Sequence, residues 1–294
     1  MTASPETVRG GSGAAPSAYS EIRQVEVDGQ VLRVARRRSD CGSARPLLIF
    51  NGIGGTLEML EPFVKALQDI EIVTFDVPGA GDSPAPTLPY RYRHVARLAD
   101  HLMSYLGYDG EIDVLGTSWG GALAQQYAHR YPDRCRRLIL AGTSFGQIMI
   151  PGRLSVMTKL VSSMMTKFVN PSRYYDRSYQ KRIMPELFGG LMRTEPDLLD
   201  RMSHVRRPNG RGLVYQLLAI SGWSSLPWLH RLNQHTLIMA GLDDPIIPLP
   251  NAKIFKYLIP QSELVVFDDG HLFLITSAGK VAPVVQRFLA TTTA

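Results

Sequence analysis

Six short apolar runs alternate with longer amphipathic segments along most of this 294-residue chain, and this alternation restricts the fold more than any other feature. The apolar runs lie at 46–50, 71–76, 111–116, 136–142, 235–241 and 263–269. Near-continuous apolar strands separated by amphipathic helices are typical of a parallel sheet that is covered on both faces. The pattern therefore predicts an α/β fold with a mostly parallel central sheet and helices on either side of it.

Three segments lie outside this alternation. Residues 1–20 are rich in Gly, Ala, Ser and Pro, and we expect them to be disordered. The sequence "IRQVEVDGQVLRVARR" that follows predicts a β-hairpin with its turn at Asp28-Gly29. Residues 145–228, hereafter the insertion, contain no comparable buried strand. We predict that the insertion is a helical cap above the carboxyl ends of the strands, where open α/β sheets bind ligands.

The insertion divides the predicted α/β core into a first part, residues 21–144, and a second part, residues 229–294. Within the insertion, or close to its end, lie three glycines, Gly189, Gly190 and Gly222. Because glycine tolerates backbone conformations that other residues avoid, these positions suggest the hypothesis that part of the cap opens as a lid.

Composition excludes several classes of protein. The two cysteines, Cys41 and Cys135, are too few for a disulfide framework, and no cluster of Cys and His residues suggests a metal ion. The start resembles no signal peptide, and no segment approaches the roughly 18 apolar residues of a membrane span, so we expect a cytoplasmic protein. The net charge is +6, but the arginines are scattered. We interpret them as solvated surface and expect no nucleic-acid partner, while contact with an anionic lipid or granule surface stays open.

A Gly-x-Ser-x-Gly pattern at residues 116–120 follows one apolar run and begins an amphipathic helix. A serine on a sharp turn between a strand and a helix is the nucleophile elbow, and its flanking glycines avoid a collision across that turn. Ser118 could instead be a small residue in an ordinary connection, but its context favours a nucleophile. A serine nucleophile needs a base, and of the seven histidines only His271 follows a predicted strand at the same sheet edge.

The base in turn needs a carboxylate that orients it. Asp243 and Asp244 directly follow the strand that precedes the His271 strand, whereas the loop after the strand at 136–142 holds no carboxylate. We predict Asp244 as this acid and keep Asp243 as the alternative. Asp268 and Asp269 are interpreted as turn residues, one of which could brace the His271 loop.

Acyl transfer also needs donors for the oxyanion that develops in the transition state. The backbone N–H of Trp119, directly after Ser118, is the first predicted donor. The second is the backbone N–H of Ile53, in the loop "NGIGGT" after the first parallel strand. In the same loop Asn51 and Gly52 are predicted to shape the backbone, since glycine lets main chain approach a ligand closely.

The phrases "NGIGG", "FDVPGAGDS", "GTSWGGALAQQYAHRYP", "GLDDPIIPL" and "DDGHLFLIT" resemble the α/β-hydrolase superfamily over nearly all of residues 21–294. Together with "WLHRLNQHTLIMAG" they are most similar to the intracellular depolymerases of medium-chain-length polyhydroxyalkanoates. The resemblance implies an α/β-hydrolase fold and a triad of Ser118, Asp244 and His271, with no cofactor and no metal. It also implies a substrate stored as polyester granules, so association with the granule surface is an expectation.

Other functions on the same fold stay open at this stage. A carboxylesterase or lipase-like hydrolase of small acyl esters, or a carbon–carbon bond hydrolase, would use the same triad. A hydroxyacyl transferase would replace water with an alcohol acceptor. A catalytically silent granule-coat or ligand-binding protein would have no need of the triad, and a haloalkane dehalogenase would need aspartate at position 118 in place of Ser118.

Overall fold

The computed structural model describes residues 17–39, 45–174, 176–195, 198 and 210–291. The predicted disordered tail lies outside the described residues as far as residue 16, and so does Cys41. The described chain begins slightly before the predicted core. Tyr19 is buried, and its hydroxyl donates to the carbonyl of Leu57 at 3.0 Å, which packs the chain against the first helix.

The described strands form one eight-stranded sheet. They are β1 Glu21–Val27, β2 Gln30–Arg37, β3 Leu47–Phe50, β4 Ile72–Phe75, β5 Ile112–Thr117, β6 Cys135–Ala141, β7 His235–Gly241 and β8 Ser262–Phe267. Their order in the sheet is β1-β2-β4-β3-β5-β6-β7-β8. β1 and β2 form the predicted hairpin, and β2 pairs antiparallel with β4. The six strands β3 to β8 all run parallel to one another.

Helices follow the strands as the alternation predicts. They are α1 Leu57–Ala66, α2 Tyr92–Tyr105, α3 Trp119–Arg130, α4 Leu154–Val169, α5 Pro171–Tyr174, α6 Arg177–Phe188, α7 Leu191–Thr194, α8 Gly210–Ile220, α9 Leu249–Leu258, α10 Phe273–Thr276 and α11 Ala278–Ala290, with a 3₁₀ helix at Leu229–Arg231. None of these described helices has the length and apolar character that crossing a membrane requires.

Both faces of the sheet are covered, as the continuous apolar strands require. Along β3, Leu47 and Ile49 pack into the apolar core beneath α1 and α11. Leu48 and Phe50 point to the opposite face and pack into the core beneath α2, α3 and α9. The predicted α/β-hydrolase fold, with a mostly parallel sheet between two helical layers, is confirmed.

The insertion leaves the sheet after β6 and returns before β7, and its described part carries the helices α4 to α8. Its two ends meet at a single antiparallel bridge between Gly146 and Ser224. The N–H of Ser225 also donates to the carbonyl of Phe145 at 3.0 Å. The chain therefore departs from the sheet and returns to it at one point.

Candidate active site

Ser118 connects β5 to α3 in a backbone conformation that few residues adopt, with φ of 52° and ψ of −118°. A residue outside the favoured regions costs of order 1–3 kcal/mol and persists only where its surroundings fix it. Here the Ser118 N–H donates to the Ala141 carbonyl at 2.9 Å. The hydroxyl of Thr143 donates to the Ser118 carbonyl at 2.7 Å. Both partners come from the end of β6 and the loop after it, so the neighbouring strand holds the turn.

The two glycines that flank Ser118 are required by close packing. A Cβ atom on Gly116 would overlap the carbonyl of Gly120, across the turn. A Cβ atom on Gly120 would overlap the carbonyls of Phe50 and Asn51, at the end of β3. Helix α3 can therefore begin directly against the sheet only because both positions lack a side chain.

His271 lies between Ser118 and Asp244. Its Nε2 is 3.0 Å from the Ser118 Oγ, and its Nδ1 is 2.7 Å from the Asp244 Oδ2. All three residues come from loops at the carboxyl ends of parallel strands, β5, β7 and β8. Asp244 and His271 are both buried. The second oxygen of Asp244 accepts hydrogen bonds from the N–H groups of Ile246 and Ile247, at 2.9 Å each.

The adjacent Asp243 has a different environment. Its side chain is half-exposed, accepts a hydrogen bond from the Gly190 N–H at 2.8 Å and forms an ion pair with Arg193. Partial burial raises the pKa of Asp243, but the hydrogen bonds from Gly190 and Arg193 outweigh it and bring the pKa below its ordinary value. The structure therefore places Asp244, and not the alternative Asp243, against His271.

The loop that carries His271 is braced by Asp269. One oxygen of Asp269 accepts from the N–H groups of Gly270 at 2.7 Å and Leu191 at 2.9 Å. The other accepts from the hydroxyls of Thr276 at 2.6 Å and Ser277 at 2.7 Å. This buried carboxylate has the bracing contacts that the sequence suggested for one of the two aspartates before His271.

The insertion supports the same loop from above. The backbone N–H of His271 donates to the carbonyl of Phe188, at the end of α6, at 2.7 Å. A Cβ atom on Gly190 would overlap the backbone of Gly270 and Asp269, and a Cβ atom on Gly189 would overlap the carbonyl of Asp243. These close contacts account for both glycines without a hinge. No sequence signal identified this support, because a backbone carbonyl leaves no mark in a sequence.

The loop after β3 lies beside Ser118. Asn51 is buried, donates to the Thr56 carbonyl at 2.7 Å and accepts from the Gly52 N–H at 2.8 Å, so its side chain joins the two ends of this loop. A Cβ atom on Gly52 would be 3.6 Å from the Ser118 Cβ. Within the described chain, the backbone N–H groups of Ile53 and Trp119 donate to no protein acceptor.

One contact of this site was missed in the sequence. Gln216, in α8 of the insertion, is buried, and its Oε1 accepts from the Gly54 N–H at 2.7 Å. Its backbone carbonyl accepts from the indole Nε1 of Trp119 at 2.9 Å. The insertion therefore contacts the β3 loop, the residue after Ser118 and the His271 loop.

Other titratable side chains are engaged elsewhere. His101 contacts Asp28 of the hairpin turn at 2.8 Å, and His129 stacks on Trp228 with ring centroids 4.2 Å apart. His204, which the sequence placed in the insertion, lies outside the described residues. Across the part of the chain that the structure describes, no three His, Cys, Asp or Glu side chains cluster as a metal site would need.

A family model described as alpha/beta hydrolase fold matches residues 45–278. The chain belongs to the α/β-hydrolase family. Among the relatives of this α/β hydrolase is a poly(3-hydroxyalkanoate) depolymerase from Ectopseudomonas oleovorans. The two sequences are 46% identical over 270 residues, which is 91% of this chain and 92% of the relative.

Solved structures agree with the family. An enol-lactonase from Burkholderia xenovorans LB400 superposes on this α/β hydrolase with a TM-score of 0.78 and 22% identity, covering 92% of this chain and 100% of the other. An esterase from Thermogutta terrifontis gives a TM-score of 0.75 and 21% identity, covering 92% and 98% of the two chains. At these identities the likeness concerns the fold alone.

Proposed function

We propose that this hydrolase cleaves the ester bonds of medium-chain-length poly(3-hydroxyalkanoate) through an acyl-enzyme on Ser118. The observation that carries the chemistry is the position of His271, whose two ring nitrogens contact Ser118 and Asp244. The choice of substrate is supported by the relative at 46% identity, a poly(3-hydroxyalkanoate) depolymerase.

In the first half of the reaction, the Ser118 Oγ attacks the ester carbonyl carbon while the His271 Nε2 takes the hydroxyl proton. For this transfer the His271 Nδ1 must carry its hydrogen toward Asp244. The second oxygen of Asp244 is held by two backbone N–H groups, which keeps the carboxylate in the orientation that stabilises the imidazolium. The N–H groups of Ile53 and Trp119, which have no acceptor among the described residues, would hold the oxyanion.

When the tetrahedral intermediate collapses, the bond to the alkoxy oxygen breaks and His271 gives its proton to that oxygen. The leaving group is then the free 3-hydroxyl end of the shortened polymer, and the acyl unit stays bonded to the Ser118 Oγ. In the second half, His271 takes a proton from water, and the hydroxide attacks the acyl carbon. The 3-hydroxyacid leaves, and the proton returns to Ser118.

We further propose that the protein works in the cytoplasm at the surface of polymer granules. Leu154 and Val161 lie seven residues apart on α4, on the same face of that helix, and both are exposed. Exposed apolar side chains at this spacing suit a polymer whose own side chains are apolar. The double variant Leu154→Ser/Val161→Ser should sediment less with polymer granules and cleave monomeric esters at an unchanged rate. Unchanged sedimentation would contradict this part of the proposal.

The decisive experiment is a product assay. The purified protein is incubated with an amorphous emulsion of the medium-chain-length polymer and, in parallel, with 4-nitrophenyl esters of increasing chain length. We expect release of 3-hydroxyacids, lost by several orders of magnitude in Ser118→Ala, which should fold normally. Ser262→Ala, at the start of β8 and at the opposite edge of the sheet, is the matched control.

Three other outcomes would contradict the proposal in different ways. Cleavage of the 4-nitrophenyl esters without release from polymer would keep the triad and indicate a carboxylesterase. An ester product formed from a hydroxyacyl thioester and an alcohol would indicate a transferase. Ester cleavage that survives in Ser118→Ala would remove the assignment of the nucleophile.

A further inference from the structure

The buried side-chain amide of Gln216 uses its oxygen, but not its nitrogen, in a hydrogen bond among the described residues. Gln216 is fully buried, and its Oε1 accepts the hydrogen bond from the Gly54 N–H at 2.7 Å. Its Nε2, equally buried, has no hydrogen-bond partner among the described residues. Because the Gly54 N–H needs an acceptor, the orientation of the amide is settled, and the NH₂ group must be the free end. A buried donor without an acceptor is costly and indicates a missing partner.

Gln216 contacts Trp119, which carries one proposed oxyanion donor, and Gly54, which adjoins the other. Gly54 directly follows Ile53 in the β3 loop, so the Gln216 amide is anchored one residue from the Ile53 N–H. The backbone carbonyl of Gln216 accepts from the indole Nε1 of Trp119. The backbone N–H of Trp119 is the other proposed oxyanion donor. The acyl group of a bound ester would therefore lie close to the Gln216 Nε2.

Helix α8 is built to reach this position. Gly212 lies one turn before Gln216 on the same face of α8. Its backbone packs so closely against Gly79, in the loop after β4, that a Cβ atom on either glycine would overlap the other residue. The first turn of α8 therefore rests directly on the core, and the next turn places Gln216 over the β3 loop.

We propose that the Gln216 Nε2 donates a hydrogen bond to the oxygen on carbon 3 of the acyl unit, and that Gln216 thereby makes the site selective for 3-hydroxyacyl groups. This inference rests on the proposed function, in which the carbonyl oxygen already has two backbone donors. A simple alkanoyl group carries no other oxygen. A 3-hydroxyacyl group carries a further oxygen on carbon 3, two carbons beyond the carbonyl carbon. This oxygen is within reach of the Gln216 amide, which is anchored on Gly54, the residue after Ile53.

A site that holds a buried donor for a substrate oxygen discriminates against an analogue that lacks the oxygen, because the donor is then left unpaired. The test compares kcat/KM for the 4-nitrophenyl esters of (R)-3-hydroxyoctanoate and octanoate. We expect the wild type to prefer the hydroxylated ester, and Gln216→Met to lower this preference at least about tenfold, as the loss of one hydrogen bond implies.

A purely structural role of Gln216 gives a different result. If Gln216 only positions Gly54 and Trp119, the substitution lowers kcat/KM for both esters by the same factor and the preference is unchanged, which would overturn the inference. The matched control is Gln234→Met, because Gln234 is also buried with one amide atom unpaired among the described residues. Gln234 donates to the carbonyl of Ala128, near the end of α3 that lies away from Ser118.

A second variant covers the case in which Gln216→Met does not fold. In Gln216→Glu the side chain keeps an acceptor for Gly54 and nearly the same volume, and it has no hydrogen to donate once its carboxyl is ionised. Because burial raises the pKa of a carboxyl, the preference of this variant for the hydroxylated ester should fall as the pH rises and the carboxyl ionises, whereas that of the wild type should not. A preference equal to that of the wild type at every pH would overturn the inference.

The failure of the inference and of the proposed function can be told apart. A wild type that cleaves both esters through Ser118 without preference contradicts the role of Gln216 alone. A wild type whose ester cleavage does not depend on Ser118 contradicts the proposed function.

Discussion

Asp243 and Asp244 are neighbours in sequence with opposite surroundings. Asp244 is buried against His271, and its second oxygen is held by two backbone N–H groups of the following turn. Asp243 faces outward to Gly190 and Arg193. The turn that begins at Pro245 therefore decides which carboxylate reaches the imidazole, and the two residues form a natural pair for comparison.

We expect Asp244→Asn to lower kcat for ester cleavage by about four orders of magnitude, because the amide no longer holds the productive tautomer of His271 or stabilises its cation. Asp243→Asn, at the adjacent position, should change kcat by less than about tenfold, since Asp243 contacts the insertion and not the imidazole. Steady-state kinetics with a 4-nitrophenyl ester measure both. Equal losses in the two variants would contradict the assignment of Asp244.

The sequence could predict Ser118 and His271 because each stands at a strand end in a recognisable phrase, and parallel strands bring their carboxyl ends to one edge. The choice between Asp243 and Asp244 was harder, because adjacent positions in a turn differ only in the direction of the side chain. Gln216 could not be predicted at all. Its partners Gly54 and Trp119 are 162 and 97 residues away, and it belongs to no motif.

At the scale of elements, the junction between α6 and α7 joins the insertion to the His271 loop. Gly190 has φ of 51° and packs against the Gly270 N–H, where no side chain fits. Gly222 has a similar positive φ of 72°, but nothing lies within 4 Å of the position its Cβ would take. Both glycines therefore have a positive φ, but only Gly190 is closely packed against neighbouring residues.

Gly190→Ala should destabilise the protein more than Gly222→Ala. Both variants bear the conformational cost of an alanine at positive φ, of order 1–3 kcal/mol, but only the first must also displace the His271 loop. We expect kcat of Gly190→Ala to fall about tenfold to a hundredfold, because a catalytic group is moved from its productive position. Thermal unfolding and ester kinetics measure the two effects. Equal losses in both variants would mean that the packing at Gly190 has no catalytic consequence.

Each predicted strand is present, because a buried parallel strand is a continuous apolar run that a sequence displays openly. The insertion was recognisable only as an interruption of that pattern. Its contacts with the core depend on backbone carbonyls and on glycines in close approach, such as Gly212 against Gly79, which amino-acid type alone does not reveal.

For the molecule as a whole, a buried charge network joins the hairpin to the parallel sheet. Asp76, after β4, accepts from the Leu57 N–H at the start of α1 at 2.9 Å and pairs with Arg33 of β2. Arg33 also pairs with Glu58 at 2.8 Å. Burial raises the pKa of Asp76 to about 6 from an ordinary 3.8, although the charge of Arg33 opposes the shift.

Because the folded protein binds the Asp76 proton more tightly than the unfolded chain does, its contribution to stability is present in acid and is lost as the pH rises through about 6. Relative to Asp76→Asn, the wild type should therefore lose up to about 3 kcal/mol of unfolding free energy between pH 4 and pH 7. Urea unfolding of both proteins across this range measures the difference. If the difference in unfolding free energy between the two proteins is constant, or grows in favour of the wild type with rising pH, the raised pKa of Asp76 is contradicted.

The hydrogen bond from His271 to Phe188 sets a boundary for recombination. An engineer seeking new substrates would exchange the insertion of this hydrolase for that of another enzyme and expect the chemistry to be left intact. Yet Phe188, which helps to hold His271 in place, belongs to the insertion and would be replaced with it. Chimeras that retain residues 186–193 from this chain should remain active. Chimeras in which the exchanged segment includes residues 186–193 should fold but cleave their substrates slowly.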